Sequence, residues 1–281
     1  MNHEHFIHQC IALAEKGRGL VGSNPLVGSV LVRGDSVIAE GSYMGQGTPH
    51  AERQLLENYD GDITPDDVLY VNLEPCCHQG STPPCTDIII QKGIQTVVVG
   101  MKDPDARVAG QGTKALRDAG IKIIGPVLPD RCRRLNKGFV SLRENSRPYI
   151  TLKRAQTKQG VTANADGTKL CITSEKQNIW SHTHLRTTHD AILVGVQTVI
   201  TDDPDLTIRL NKDTKKSFPQ PTPIILDPDF RIPRDAIILR EGTVVVTTKD
   251  PEECNGATVL QVPLIDGEFD LENLWNQLPL V

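Results

Sequence analysis

The amino-acid sequence predicts an α/β protein built from two domains. Apolar, β-branched segments alternate with helix-forming segments in both halves of the chain, a pattern typical of sheets that contain parallel strands. A length of 281 residues is sufficient for two domains with separate cores. The run Asn145-Ser146-Arg147-Pro148 has the composition of a linker. We therefore expect a first domain at residues 1–146 and a second at residues 147–281.

The first domain is expected to open with a helix and a strand hairpin. Apolar residues recur at near-helical spacing from Phe6 to Ala14, before Gly17-Arg18-Gly19. The strands Ser29–Val32 and Val37–Glu40 flank a turn at 33–36, so they should pair antiparallel. Further elements then alternate: a helix at Ala51–Tyr59, a strand at Val68–Leu73, a helix from Cys85, a strand at Thr96–Gly100, a helix at Lys114–Ala119 and a strand at Ile121–Ile124.

The second domain contains four strand-like segments. These apolar runs lie at Tyr149–Lys153, Ala191–Gly195, Pro223–Asp227 and Thr243–Thr247. The longer stretches between them leave room for helices, so this half is also expected to form an α/β layer.

A histidine and two cysteines in the first domain have the character of a catalytic metal site. His50-Ala51-Glu52 is followed by Pro75-Cys76 and then by Cys85, and imidazole and thiolate ligands suit Zn²⁺. Three protein ligands leave a fourth tetrahedral position for water, whose pKa zinc lowers to about 7. Glu52 is placed to carry the proton of that water, so it is the candidate general base of a hydrolytic deamination.

Other interpretations of this cluster stay open. Zinc deaminases show H-x-E followed by P-C-x-x-C, whereas eight residues separate Cys76 from Cys85 here. Cys77 could add a ligand and close a structural zinc site, although the paired cysteines of such sites are usually two to four residues apart. A structural zinc would make the protein a scaffold or binding partner instead of an enzyme.

Composition argues against several partners and locations. A formal net charge of −5 and 4% aromatic residues disfavour nucleic-acid binding. No apolar run approaches the ~20 residues of a membrane span, and the N-terminus lacks a signal-peptide pattern. Seven cysteines, an odd number with one tight cluster, indicate metal binding in a reducing compartment. We expect a cytoplasmic enzyme with a small-molecule substrate and no nucleic-acid or membrane partner.

Several motifs resemble, in the same order, those of the bifunctional riboflavin-biosynthesis deaminase-reductase family. They are the Pro-Cys and Pro-Pro-Cys that frame loop 75–85, Asn24-Pro25-Leu26-Val27-Gly28, Asp103-Pro104, Val108-Ala109-Gly110-Gln111-Gly112, Leu135-Asn136-Lys137-Gly138-Phe139, and in the second half Asp190–Gly195, Thr198-Val199 and Asp202-Asp203-Pro204. The resemblance implies a cytidine-deaminase-like zinc domain followed by a dihydrofolate-reductase-like α/β domain.

The same resemblance implies the reactions. The first is hydrolytic removal of the 2-amino group of 2,5-diamino-6-ribosylamino-4(3H)-pyrimidinone 5′-phosphate, and the second is NADPH-dependent reduction of the ribosyl to a ribityl side chain. We also expect a homo-oligomer. A zinc deaminase of another nucleobase, a nucleoside or tRNA is the alternative.

Roles for further residues follow from the resemblance, and Lys102 and Asp103 would also sit at a strand's carboxyl end, where α/β sheets place ligand-binding loops. Substrate contacts are expected from Asn24, His78, Lys102 and Asp103 in the deaminase domain, and from Lys153, Arg186, Leu206 and Arg209 in the reductase domain, where cations suit a phosphate. NADPH contacts are expected from Gln156, Cys171, Thr198 and Asp202. Asn24 and Asp103 can equally be turn residues before proline, and His78 can be a zinc ligand or a surface group.

The sequence departs from the family pattern in places. Cys171 stands where a tryptophan is usual, and Cys77 where a serine is usual. The chain stops at Val281, before the segment that in this family carries a glutamate and a glycine-rich turn for the cofactor pyrophosphate. We therefore expect a reductase domain shortened at its C-terminus, with its activity in doubt.

Overall fold

The computed structural model divides the chain into two compact units, Met1–Tyr149 and Ile150–Val281. It describes residues 2–80, 82–106, 108–166, 168, 170–209, 218–250 and 253–278. Each unit has its own sheet and its own buried apolar side chains. The predicted α/β class of both halves is confirmed.

The first unit is built on a five-stranded mixed sheet in the order β2-β1-β3-β4-β5. Its strands are β1 Gly28–Arg33, β2 Ser36–Ser42, β3 Asp67–Val71, β4 Thr96–Val99 and β5 Lys122–Ile124. The predicted hairpin is confirmed, since β1 pairs antiparallel with β2. Strand β1 also pairs antiparallel with β3, while β3, β4 and β5 run parallel. All five residues of β3 are buried, as expected for a central strand that is covered on both faces.

Six helices of the first unit lie before, between and after these strands in the described residues. They are α1 His3–Ala14, α2 Ala51–Asn58, α3 Cys85–Gln91, α4 Gln111–Asp118, α5 Pro129–Leu135 and α6 Lys137–Asn145. Helix α1 buries the apolar face that its sequence spacing predicts, from Phe6 to Ala14. His50 directly precedes α2, and Cys85 is the first residue of α3, so both helices begin at a predicted metal ligand.

The second unit contains a four-stranded parallel sheet in the order β6-β7-β8-β9. Its strands are β6 Ala191–Gly195, β7 Thr222–Leu226, β8 Val244–Thr247 and β9 Thr258–Gln261, followed by a small hairpin of β10 Leu264–Ile265 and β11 Glu268–Phe269. The described helices are α7 Glu175–His184, α8 Val196–Asp202 and α9 Leu271–Gln277. Separate apolar clusters form around Ile225 and around Ile224, adjacent residues of β7, because neighbouring side chains of a strand point to opposite faces.

One predicted strand is wrong. Tyr149–Lys153 forms no strand, and Ile150 and Leu152 are 59% and 91% exposed. A strand requires a hydrogen-bonded neighbour, and the described ladder ends at β6 without this segment. Helices α5 and α6 were not predicted. Within the described residues, no helix combines the length and apolar character needed to cross a membrane.

Candidate functional site

Three side chains from separate segments converge in the first unit. His50 caps the N-terminus of α2, Cys76 lies in the loop that follows β3, and Cys85 is the first residue of α3. The Nδ1 atom of His50 lies 3.5 Å from Sγ of Cys76 and 3.4 Å from Sγ of Cys85. All three donor atoms lie within 4.8 Å of one another, and among the described residues this is the group of donors that could hold a metal ion. One imidazole and two thiolates fit zinc.

The environment of Cys76 favours ionisation of its thiol, whereas the hydrogen bond to Cys76, and then burial, raise the pKa of the Cys85 thiol. The backbone N–H of Cys85 donates a hydrogen bond to Sγ of Cys76 at 3.3 Å. Hydrogen bonds from the Cys85 thiol and from His50 lower the pKa of Cys76 to about 4. Because a thiolate and not a thiol binds a metal, this site is prepared to receive a cation. Cys77, the adjacent thiol, is not a member of the converging group.

Glu52 lies beside the three ligands and is almost completely buried, with 3% of its surface exposed. It occupies the first turn of α2, two residues after His50. Burial, and then the neighbouring Cys76, raise the pKa of Glu52 to about 7. A carboxyl group with this pKa can both accept and donate a proton near neutral pH.

Glu74 is a site residue whose role the sequence did not reveal. It lies three residues after the end of β3 and directly before Pro75-Cys76. Its side chain is buried, with 3% exposed, and accepts hydrogen bonds on both carboxylate oxygens. Its Oε2 accepts from the backbone N–H groups of Asp103 at 3.2 Å and Gly110 at 2.9 Å. Its Oε1 accepts from the N–H of Thr113 at 2.9 Å and from its hydroxyl at 3.1 Å. Glu74 therefore ties the segment 103–113 to the metal loop.

The four residues expected to contact the deaminase substrate lie in different environments. Asp103 is buried, and its pKa is raised to about 6 by burial. Lys102, His78 and Asn24 are exposed. The loop that carries Asn24 is held in place at Leu26, whose N–H donates to Oδ1 of Asn136 at 2.7 Å. Contact with substrate remains a prediction for all four.

The second unit has a cavity of about 270 Å³ to which cationic side chains contribute. Lys153, Arg186 and Arg209 line it together with Cys171, so four of the eight residues predicted for this half come together. Leu206 is buried and has a left-handed backbone with φ of 55°. Gln156, Thr198 and Asp202 are exposed and do not line this cavity. His182, which was not predicted, lines it as well.

Comparison with known proteins agrees with the two-unit organisation. Residues 1–101 match the family model described as the cytidine and deoxycytidylate deaminase zinc-binding region. Residues 148–279 match the RibD C-terminal domain. With the His-Cys-Cys cluster, this defines a zinc-dependent deaminase joined to a reductase-type domain that uses NADPH.

Similarity along nearly the whole of this chain then identifies the family. The riboflavin biosynthesis protein RibD of Aquifex aeolicus is 39% identical over 280 residues, which cover 98% of this chain and 77% of the relative. Acinetobacter baumannii RibD superposes with a TM-score of 0.86 at 33% identity, covering 94% of this chain and 74% of that one. A Thermotoga maritima diaminohydroxyphosphoribosylaminopyrimidine deaminase/5-amino-6-(5-phosphoribosylamino)uracil reductase gives 0.81 at 36% identity, covering 92% and 73%. The chain belongs to the RibD family of riboflavin biosynthesis proteins.

Family membership confirms the resemblance found in the sequence, including the cytidine-deaminase-like and reductase-like domains and the two cofactors, zinc and NADPH. The chain spans 54–78% of the length of the curated relatives that it matches.

Proposed function

We propose that the first unit deaminates 2,5-diamino-6-ribosylamino-4(3H)-pyrimidinone 5′-phosphate by hydrolysis, and that the second unit reduces the ribosyl side chain with NADPH. We assign residues 1–146 to the first activity and 147–281 to the second. The observation that carries the proposal is the convergence of His50, Cys76 and Cys85 within 4.8 Å, with the buried Glu52 beside them.

Each residue of the site has a distinct chemical task. His50, Cys76 and Cys85 would hold zinc, which supplies the Lewis acidity that makes water a nucleophile at neutral pH. Glu52 takes a proton from the attacking water and delivers it to the ring nitrogen next to the amino-bearing carbon. It then takes the second proton of that water from the newly added hydroxyl group and carries it to the departing amine, so that the carbonyl forms, the C–N bond breaks and ammonia leaves. The pKa of about 7 suits both directions of transfer.

The second activity rests on the cavity. Lys153, Arg186 and Arg209 contribute to its lining, and guanidinium and ammonium groups are the usual partners of a phosphate. We propose that this cavity receives the ribosyl phosphate and that Cys171 faces the cofactor side. Gln156, Thr198 and Asp202 are proposed to contact NADPH, with Leu206 shaping the substrate side.

We also propose a small phosphorylated pyrimidine as the partner, with no nucleic acid or membrane, and a cytoplasmic homo-oligomer. The net charge of −5 supports the absence of a nucleic-acid partner, and the seven cysteines support a reducing compartment.

An assay with two signals tests the proposal. Zinc-loaded protein is mixed with the diaminopyrimidine phosphate, ammonia release is followed without NADPH, and NADPH oxidation is followed after its addition. Both signals are expected, because the match to the RibD C-terminal domain extends over residues 148–279 and supports the reductase activity that the shortened second half had placed in doubt. Ammonia without NADPH oxidation would contradict the reductase part, and the absence of both would contradict the substrate assignment.

Glu52→Gln separates catalysis from a structural zinc site. We expect deamination to fall by about 10²–10⁴-fold, the usual contribution of a general base, with zinc content by mass spectrometry unchanged. Glu57→Gln, an exposed position on the same helix, serves as the control and should retain activity. Unchanged turnover in Glu52→Gln would contradict Glu52 as the general base, whereas zinc binding without turnover in the unaltered protein would support a scaffold instead.

A further inference from the structure

His182 is the most deeply buried of the polar side chains that line the cavity of the second unit. It lies on α7 and is 9% exposed, whereas Lys153 and Arg209, which also line the cavity, are exposed. Its Nδ1 atom lies 3.0 Å from the backbone nitrogen of Arg209. The backbone N–H can only donate, so Nδ1 accepts this bond.

This hydrogen bond fixes the protonation of the ring. An Nδ1 atom that accepts must carry a lone pair, so the single ring proton resides on Nε2. The surroundings favour the same state, because burial and the nearby Arg186 and Arg209 guanidinium groups lower the pKa of His182 to about 4. His182 is therefore a neutral imidazole that accepts on one side and can donate on the other.

The segment that carries Arg209 is held at three consecutive residues. Nη1 of Arg186 donates to the carbonyl oxygen of Thr207 at 2.7 Å, the N–H of Ile208 donates to Oε1 of Gln220 at 2.8 Å, and the N–H of Arg209 donates to His182. Of these three bonds, only the one that His182 accepts is donated by the backbone of Arg209, the residue of this segment that lines the cavity. The position of Arg209 thus depends on His182.

The positive charges of Arg186 and Arg209, which both line the cavity, favour the binding of an anion there. Burial, and then repulsion by the positive charge of Arg209, lower the pKa of Arg186. A third protonated group at this point would add to that repulsion, whereas a neutral imidazole can anchor Arg209 and offer one more N–H donor.

We propose that His182 is a positioning residue of the phosphate site: it anchors the backbone of Arg209 through Nδ1, so that Arg209 and Arg186 close on the phosphate of the substrate. This inference rests on the proposed function, which makes the cavity the binding site for a sugar phosphate.

The test measures binding of ribose 5-phosphate to the full chain by isothermal titration calorimetry, with ribose as the ligand that lacks the phosphate. His182→Leu introduces a side chain of similar size that has no acceptor. The affinity of this variant for ribose 5-phosphate should fall about tenfold, the effect of one lost hydrogen bond. His182→Asn retains an oxygen close to the position of Nδ1, so it should recover most of the affinity.

His184→Asn provides the matched control. His184 lies on the same helix but is exposed, with its Nδ1 atom 3.1 Å from the carbonyl oxygen of Trp180, and its substitution should leave the affinity unchanged. Ammonia release by each variant and its thermal unfolding show that the protein is folded.

The possible outcomes are distinguishable. Equal affinity of His182→Leu and the unaltered protein would overturn the role of His182 while leaving the phosphate site intact. Equal weakening in His182→Leu and His182→Asn would also overturn it, because the acceptor would then be irrelevant. If the unaltered protein does not distinguish ribose 5-phosphate from ribose, the phosphate site itself is wrong and the proposal falls with it.

Discussion

Glu74 fixes the segment 103–113 of the first unit, although it neither belongs to the metal cluster nor carries an obvious motif role. A buried carboxylate is costly unless hydrogen bonds replace its hydration, and here four donors do so. Its sequence position, directly before Pro75-Cys76, explains why it connects the metal loop with that segment. Composition and spacing could not reveal this, because three of the four donors are backbone N–H groups and all four lie far along the chain.

Glu74→Gln tests this connection. A glutamine has one oxygen and one NH₂ group, so one of its two ends must place a donor against a backbone N–H. We expect a loss of ~1–3 kcal/mol in the free energy of unfolding of the first unit, with a raised KM for deamination. Thr113→Val, which removes only the hydroxyl bond, should have a smaller effect. Unchanged stability and KM in Glu74→Gln would contradict the role of Glu74.

Gly112 shows how closely α4 approaches the metal loop. A Cβ atom at this position would lie 1.9 Å from the carbonyl oxygen of Pro75, a distance that forces a backbone to move. We therefore expect Gly112→Ala to displace Cys76 and to weaken zinc binding, measured by competition with a chromophoric chelator. Gly138→Ala is the control, because a Cβ there meets no atom within 4 Å. If both variants bind zinc equally well, the close approach has no influence on the site.

At the scale of elements, a bidentate ion pair connects the ends of β1 and β3. Nε of Arg33 donates to Oδ1 of Asp67 at 2.7 Å, and Nη2 donates to Oδ2 at 2.8 Å. Arg33 holds the pKa of Asp67 below its ordinary value. A lowered carboxyl pKa means that the folded state prefers the charged form, so this stabilisation is present above the ordinary pKa of about 4. It is lost as the pH falls from there through the pKa of the folded state.

Asp67→Asn should therefore destabilise the protein in a pH-dependent way. We expect a loss of ~1–3 kcal/mol near pH 7 and a smaller difference from the unaltered protein below pH ~4, measured by urea unfolding at several pH values. Asp66→Asn, at an exposed neighbour, should show little effect at any pH. A difference between Asp67→Asn and the unaltered protein that does not change with pH would rule out the ion pair as its cause.

The elements of the first unit were largely predictable because their signals are local. Helix α1 follows from apolar spacing, the β1–β2 hairpin follows from a turn between two apolar runs, and β3 follows from a buried run. The motif Leu135–Phe139 was visible, but its purpose was not. Asn136 separates α5 from α6 and uses its side chain to bond both the N–H and the carbonyl oxygen of Leu26, a long-range contact that no local pattern encodes.

The failure at Tyr149–Lys153 has a related cause. Its apolar composition suits a strand, but a strand is decided by its neighbour, and in the described structure this segment has none in the sheet. Likewise, the cavity of the second unit draws on residues from 153 to 209. The family resemblance predicted its cationic residues, whereas His182 was identified only in the structure, by the hydrogen bond that it accepts from Arg209.

At the scale of the whole molecule, the chain has two units with separate cores, and the described residues place a group of potential metal ligands in the first of them. A ligand that binds only the folded state stabilises the unit that holds it. We expect zinc removal by a chelator to lower the unfolding temperature of one calorimetric transition by ~5 °C or more and to leave a second transition in place. Re-addition of zinc should restore the first transition. Equal shifts of both transitions, or no shift, would contradict this expectation.

The order of strands in the first sheet has a consequence for how the protein is made. After the β1–β2 hairpin, β3 joins the sheet beside β1, and β4 and β5 each join beside the strand before them. All three metal ligands lie between residues 50 and 85. Domains form progressively from the N-terminus during synthesis. A ribosome therefore synthesises the complete ligand set before it begins the second unit, so a nascent chain can acquire its ion while the second unit is still untranslated.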